Sequence, residues 1–76
     1  MDSLHGLMEL VRDDLGVPLD IPGDADADLA DLPGWDSLNL LRLVILLEEN
    51  GHPVPVHRLL LARSLHEMYT LVKERR

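Results

Sequence analysis

The chain has 76 residues, no cysteine and a formal net charge of −7. This length predicts one domain, residues 1–76, with a small core and no disulfide to stabilise it. No basic start followed by an apolar run opens the sequence, and the apolar stretch at 43–47 is far shorter than the ~20 residues that span a bilayer. We therefore expect a soluble, cytoplasmic protein that does not bind a membrane.

The charge is divided unevenly between the two halves of the chain. Residues 1–36 carry ten acidic side chains and one basic side chain, whereas residues 37–76 carry four acidic and six basic ones. A nucleic-acid-binding protein would show clustered lysine and arginine, so the acidic half argues against nucleic acid as a partner. It favours either basic protein partners or simply a solvated surface.

Residues 2–15 are predicted to form the first helix. Asp2 or Ser3 is placed to cap its start, and Gly16 is placed to end it. Its apolar side chains recur with a helical period and define one buried stripe. The members of this stripe are Leu4, Leu7, Met8, Val11 and Leu15.

Residues 16–36 are predicted to form a long loop, because proline or glycine interrupts every stretch that could make a regular element. A loop of this length is often functional. The alternating aspartates at 24–28 resemble the start of an EF-hand calcium loop, which needs glycine at its sixth position and glutamate at its twelfth. Here Leu29 and Trp35 occupy those positions, so no metal site is predicted. Five apolar side chains are expected to hold the loop against the core: Leu19, Ile21, Leu29, Leu32 and Trp35.

Residues 37–50 are predicted to form the strongest helix, capped by Asp36 or Ser37 and ended by glycine. Eight of its positions are apolar, which is more than one face of a helix in so small a domain can bury. We therefore expect one stripe to be exposed or to line a cavity, although burial of the whole set stays an alternative. The members of the stripe are Leu38, Leu41 and Ile45.

Two further helices are predicted after the connector at 51–55. A short helix covers 56–62, and Ser64 with Glu67 forms a capping box that opens the last helix. Basic side chains lie at the end of that helix, where the helix dipole favours cations: Lys73, Arg75 and Arg76. The predicted fold class is therefore all-α, a four-helix bundle of three main helices and one short helix with a long first loop.

Few residues support catalysis. The four histidines are scattered, and His52 with His57 would supply only two metal ligands. A helical domain this small is expected to leave little room for a pocket of ~300 Å³. Ser37 is the exception, because it stands at the first turn of a helix, where unpaired N–H groups and a partial positive charge favour a phosphate. The alternative is that Ser37 only caps the helix.

The segment Gly34–Leu38 reads Gly-Trp-Asp-Ser-Leu and is followed by an apolar helix that ends in two glutamates. It resembles the phosphopantetheine attachment motif of acyl and peptidyl carrier proteins, and the resemblance covers almost the whole chain. It implies a 4′-phosphopantetheine arm, taken from coenzyme A, on the Ser37 hydroxyl. Asp36 would help to position that serine and to engage the transferase that attaches the arm. Such an arm holds its cargo as a thioester and presents it to each partner at high effective concentration.

The resemblance also implies where partners would bind. Leu38, Leu41 and Ile45 match the exposed, partner-facing positions of the family's second helix, and Glu48 and Glu49 match its acidic recognition positions. The implied partners are a phosphopantetheinyl transferase, an acyl- or aminoacyl-loading enzyme and a downstream transferase or synthase. The protein itself would be a non-catalytic carrier. We expect a monomer.

Asn39 and Arg42 depart from the pattern of fatty-acid carriers, whose second helix is acidic. We expect Arg42 to take part in partner binding. Trp35, directly before Asp-Ser-Leu, points like this departure to a dedicated partner in specialised metabolism. The departure favours polyketide, nonribosomal-peptide or related specialised biosynthesis over fatty-acid synthesis. Because the chain starts at Met1 and ends with the domain, the resemblance is to discrete, free-standing carriers.

Two alternatives from other functional classes stay open. A small helical interaction module without a prosthetic group would use the apolar face of residues 38–47 to bind a partner helix or to dimerise. A hydrolase would use Ser37 as its nucleophile, but the sequence specifies no geometry for a Ser-His-Asp triad.

Overall fold

Four helices make up the fold in the computed structural model, which describes residues 3–74. They are α1 (Leu4–Asp14), α2 (Ser37–Glu49), α3 (Val56–Leu59) and α4 (Leu65–Glu74). Two short 3₁₀ turns, Gly23–Asp26 and Leu29–Asp31, lie in the loop between α1 and α2. No strand occurs in residues 3–74, so the all-α prediction is confirmed. The single-domain prediction stays a prediction.

The three longer helices bury one face each in a common core. Their buried positions recur at spacings of three or four residues, with Leu7 directly before Met8 in α1, which places them on one side of a helix. The fully or almost fully buried side chains are Leu7, Met8 and Val11 from α1, Leu40, Leu43 and Leu47 from α2, and Leu65, Met68 and Val72 from α4. The sequence-predicted stripe of α1 is thereby confirmed, with Leu4 at its edge only partly buried.

The start of α2 is as predicted, and the other ends of α1 and α2 differ from the predicted ends by one or two residues. Ser3 caps α1, because its side chain accepts a hydrogen bond from the Gly6 N–H at 3.0 Å. The other predicted cap, Asp2, lies outside the described residues. Gly16 and Gly51 follow the two helices with φ of +74° and +81°, the left-handed conformation in which glycine commonly ends a helix.

The prediction of a short helix over 56–62 is wrong in its length, since α3 ends at Leu59. The Leu61 and Ala62 N–H groups donate to carbonyls three residues back, which is the bonding of a tight turn. The apolar side chains that follow α3 do not continue a buried face, because Leu60 and Leu61 are 64% and 79% exposed. Of the three residues after α3, only Ala62 packs against the core, which leaves a further helical turn without a buried leucine to hold it.

The predicted capping box at the start of α4 forms only in part. The Glu67 N–H donates to the buried Ser64 Oγ at 3.1 Å, as the motif predicts. The Glu67 carboxylate, however, accepts from the Arg63 N–H at 3.1 Å, one residue before the position that the motif requires. Lys73 lies in the last turn of α4, whereas the two arginines predicted beside it lie outside the described residues.

The loop at 16–36 is held closely to the helices. Leu29 and Leu32 are buried, and the other three predicted anchors, Leu19, Ile21 and Trp35, pack against the core in half-buried positions, which confirms the expectation. Two further contacts tie the loop to the start of α4. The Leu29 N–H donates to the Arg63 carbonyl at 2.9 Å, and a carboxylate oxygen of Asp26 lies 2.9 Å from the His66 ring.

No helix within residues 3–74 has both the length and the apolar character that a membrane span needs.

Candidate functional site

Ser37 is the first residue of α2 and its side chain is exposed. The residue before it, Asp36, is fully extended and caps the helix, because its carboxylate accepts a hydrogen bond from the Asn39 N–H at 2.9 Å. The structure thus decides between the two predicted caps in favour of Asp36. The Ser37 hydroxyl is not needed to hold the helix and lies where a phosphate ester is favoured by the helix N-terminus.

The turn before Ser37 is built around Gly34. Its φ is +84°, a conformation that side-chain-bearing residues rarely adopt. A β-carbon there would meet only Pro18 Cδ, at 3.8 Å, so the backbone conformation and not the available space requires glycine. Trp35 follows, and its backbone N–H donates to the Leu32 carbonyl at 3.2 Å. With its half-buried ring against the core, Trp35 anchors the chain directly before the serine.

An open cleft of ~530 Å³ lies beside Ser37. This is more room than the sequence led us to expect. Core side chains from three helices, Leu40, Leu59 and Met68, line it together with Trp35, Leu60 and Leu61. The cleft therefore offers space and an apolar lining to a group attached at Ser37.

An ion pair also lines this cleft. The carboxylate of Asp28 lies 3.4 Å from the Arg63 guanidinium and also accepts from the Ala30 N–H at 2.9 Å. The hydrogen bond from Ala30, followed by the one from Arg63, lowers the pKa of the Asp28 carboxyl below its ordinary value. Asp28 is thus ionised at neutral pH and holds the loop against the turn after α3.

A comparison with protein families matches residues 5–72 to the family described as a phosphopantetheine attachment site. The chain belongs to this family of carrier proteins. Carrier domains of the family bear covalently attached 4′-phosphopantetheine, which fits an exposed serine at a helix N-terminus beside an open cleft. Searches among curated proteins and among solved structures return no match.

The carrier exposes a stripe of large apolar side chains along α2. Leu38, Leu41 and Ile45 are 64%, 52% and 55% exposed, whereas the neighbouring Leu40 and Leu43 are buried. The exposure predicted for the stripe is confirmed, and the alternative that the whole set is core is wrong. The partner-binding role of these three residues stays a prediction.

The charged residues predicted to bind partners lie along the same helix. Glu48 and Glu49 are exposed in its last turn, roughly 17–18 Å along the helix axis from Ser37 at 1.5 Å per residue. Arg42 is also exposed, but its guanidinium donates to the Asp14 carbonyl and to Asn39 Oδ1, each at 3.3 Å. Arg42 of this carrier is therefore engaged with its own chain, which sequence reasoning did not predict.

The acidic run of the loop is also engaged in internal contacts. Asp24 accepts from the Asp20 N–H at 2.9 Å, Asp26 pairs with His66, and Asp28 pairs with Arg63. Among the described residues of the carrier, no three acidic or histidine side chains are grouped so that they could hold a metal ion.

Sequence reasoning noted Asn39 only as a departure from the fatty-acid carrier pattern and missed its contact with the turn before Ser37. Its side-chain Nδ2 donates to the Gly34 carbonyl at 2.6 Å, across the turn that precedes Ser37. An asparagine in the first turn of a helix after Asp-Ser is the available signal, since asparagine readily bonds to nearby backbone groups.

Proposed function

We propose that Ser37 carries the 4′-phosphopantetheine arm and that the protein is a non-catalytic carrier of acyl or aminoacyl groups in the cytoplasm. The observation that carries this proposal is the exposed Ser37 hydroxyl at the start of α2. Asp36 caps the helix, so the Ser37 hydroxyl is not used as the cap. The arm supplies a terminal thiol, which the cysteine-free chain lacks and which holds cargo as a thioester. The chain's own residues present the serine and give the arm a cleft beside it.

We further propose that the stripe of Leu38, Leu41 and Ile45 binds the partner enzymes. Three large apolar side chains that are more than half exposed on one helix favour an interaction surface. The partners would be the phosphopantetheinyl transferase, a loading enzyme and a downstream transferase or synthase. Glu48 and Glu49 would add charge recognition at the far end of the helix.

We also propose that the carrier serves polyketide, nonribosomal-peptide or related specialised biosynthesis. The support for this is the sequence of α2, which has Asn39 and Arg42 where fatty-acid carriers have acids. Intact mass spectrometry of the protein from its native host would identify the cargo and test the assignment. A saturated fatty acyl chain alone would contradict it.

Intact mass after incubation with coenzyme A and a promiscuous transferase tests the attachment site. We expect wild type to gain the mass of one phosphopantetheine and Ser37→Ala to gain nothing. Ser3→Ala is the matched control, because Ser3 also stands at a helix start, and it should be modified like wild type. An unmodified wild type, or a modified Ser37→Ala, would refute the proposal.

A further inference from the structure

Asn39 makes two hydrogen bonds to residues that precede Ser37 in the chain. Its backbone N–H donates to Asp36 Oδ1 at 2.9 Å, and its side-chain Nδ2 donates to the Gly34 carbonyl at 2.6 Å. Ser37 lies between Asp36 and Asn39 in the sequence. The two hydrogen bonds therefore close the chain into a loop that contains the serine.

Arg42 and the Gly34 carbonyl favour the same orientation of the Asn39 carboxamide. Its Nη1 donates to Asn39 Oδ1 at 3.3 Å, while the Gly34 carbonyl needs a donor. A carboxamide has one acceptor oxygen and one donor nitrogen, so only one orientation meets both neighbours. Arg42 Nη2 also donates to the carbonyl of Asp14, at the end of α1, at 3.3 Å. The network thus joins the end of α1 to the turn before Ser37.

We propose that Asn39 is a positioning residue for the modification of Ser37 and that Arg42 acts through it. The inference rests on the proposed function, in which Ser37 receives the arm. Gly34 can adopt many backbone conformations, and the hydrogen bond from Asn39 Nδ2 restrains its carbonyl. Removal of this hydrogen bond therefore gives the turn before Ser37 more conformations. A transferase that binds only the chains with Ser37 in place then shows a raised apparent KM, because the competent fraction falls.

Steady-state kinetics of transfer from coenzyme A to Asn39→Ala and Asn39→Asp test this role. We expect the apparent KM for the carrier to rise about 2- to 12-fold, the range for loss of one hydrogen bond, with kcat nearly unchanged. The alanine variant adds no charge, and the aspartate variant keeps the size of the side chain. Agreement between the two would exclude charge and volume as causes. A wild-type KM in either variant would overturn the proposal.

Asn50 provides the matched control at the other end of α2. Its Nδ2 donates to the Leu46 carbonyl at 2.7 Å, the same chemistry far from Ser37. We expect Asn50→Ala to lower the thermal midpoint at least as much as Asn39→Ala does, while its KM stays that of wild type. An equal rise in KM for Asn50→Ala would show that general loosening of the fold is the cause and would overturn the proposal.

A double-variant comparison tests whether Arg42 acts through Asn39. We expect Arg42→Ala to raise KM in the wild-type background and to have no further effect in the Asn39→Ala background. Independent effects would mean that Arg42 contacts the transferase directly, which would overturn its orienting role. If the wild-type protein does not accept the arm, the proposed function itself is refuted. If wild type is modified and the Asn39 variants have its KM, only the role of Asn39 is refuted.

Discussion

Leu43→Ala and Leu41→Ala make the same chemical change two positions apart on α2, yet we expect them to separate stability from partner binding. Leu43 is fully buried in the core, whereas Leu41 is 52% exposed. Truncation of a buried leucine costs about 2–5 kcal/mol of unfolding free energy, and an exposed substitution changes it by about 0.5 kcal/mol or less. A chain of this length has about 4–11 kcal/mol in total, so Leu43→Ala removes a large share.

Thermal unfolding followed by far-UV circular dichroism measures the first effect. We expect the midpoint to fall by roughly 10 °C or more for Leu43→Ala, since a domain of this size loses ~4–8 °C per kcal/mol. Leu41→Ala should unfold within a few degrees of wild type.

The initial rate of transferase modification, measured well below the melting transition, gives the second effect. Fewer than about 30% of interface residues cost more than about 1 kcal/mol when truncated, and we expect Leu41, in the middle of the exposed stripe, to be one of them. Leu41→Ala should then react at least about five-fold more slowly.

Two results would refute this reasoning about α2. If Leu41→Ala is destabilised as strongly as Leu43→Ala, the outer stripe belongs to the core and is not free to bind partners. If Leu41→Ala unfolds and is modified like wild type, Leu41 contributes nothing to transferase recognition. In that case the exposed stripe needs another explanation.

Two further predictions concern Asp36 and Asp28. Asp36→Ala should lower the unfolding free energy by about 1 kcal/mol in urea titrations, because it removes the cap on the Asn39 N–H. Asp36→Asn should keep that stability, since asparagine caps equally well, so slower modification of this variant would reveal that the transferase reads the charge. The pKa of Asp28 is lower in the folded protein than in the unfolded chain. Its contribution to the free energy of unfolding is therefore complete above the ordinary carboxyl pKa and is lost as the pH falls through the pKa of the folded state. The stability difference between wild type and Asp28→Asn should therefore shrink on acidification, and a difference that persists at low pH would contradict the assignment.

Local patterns were enough to locate α1 and α2, whereas they made α3 three residues too long. The 3.6-residue period of the apolar positions and the glycines after α1 and α2 locate both elements to within one or two residues. The surplus of apolar residues in α2 likewise predicted an exposed stripe. The two 3₁₀ turns of the loop could not be predicted, because they depend on distant contacts such as that of the Leu29 N–H with the Arg63 carbonyl.

The candidate site was predictable only where its residues are neighbours in the sequence. Asp36 and Ser37 stand next to each other before an apolar helix, so a short motif is enough to identify them. Arg42 was assigned to partner binding because it stands where fatty-acid carriers have an acid, but one of its acceptors, the Asp14 carbonyl, is 28 residues away along the chain. The cleft beside Ser37 combines side chains from separate helices, and no local pattern reveals such a space.

Trp35 gives this carrier a natural optical probe at the site. It is the only tryptophan in the chain, and its half-buried ring lines the cleft beside Ser37. Its emission therefore arises from one environment and responds to whatever enters that space. Attachment of the arm and loading of cargo, where either group contacts the cleft, can then be followed as a fluorescence change in the unlabelled protein, in real time and in solution.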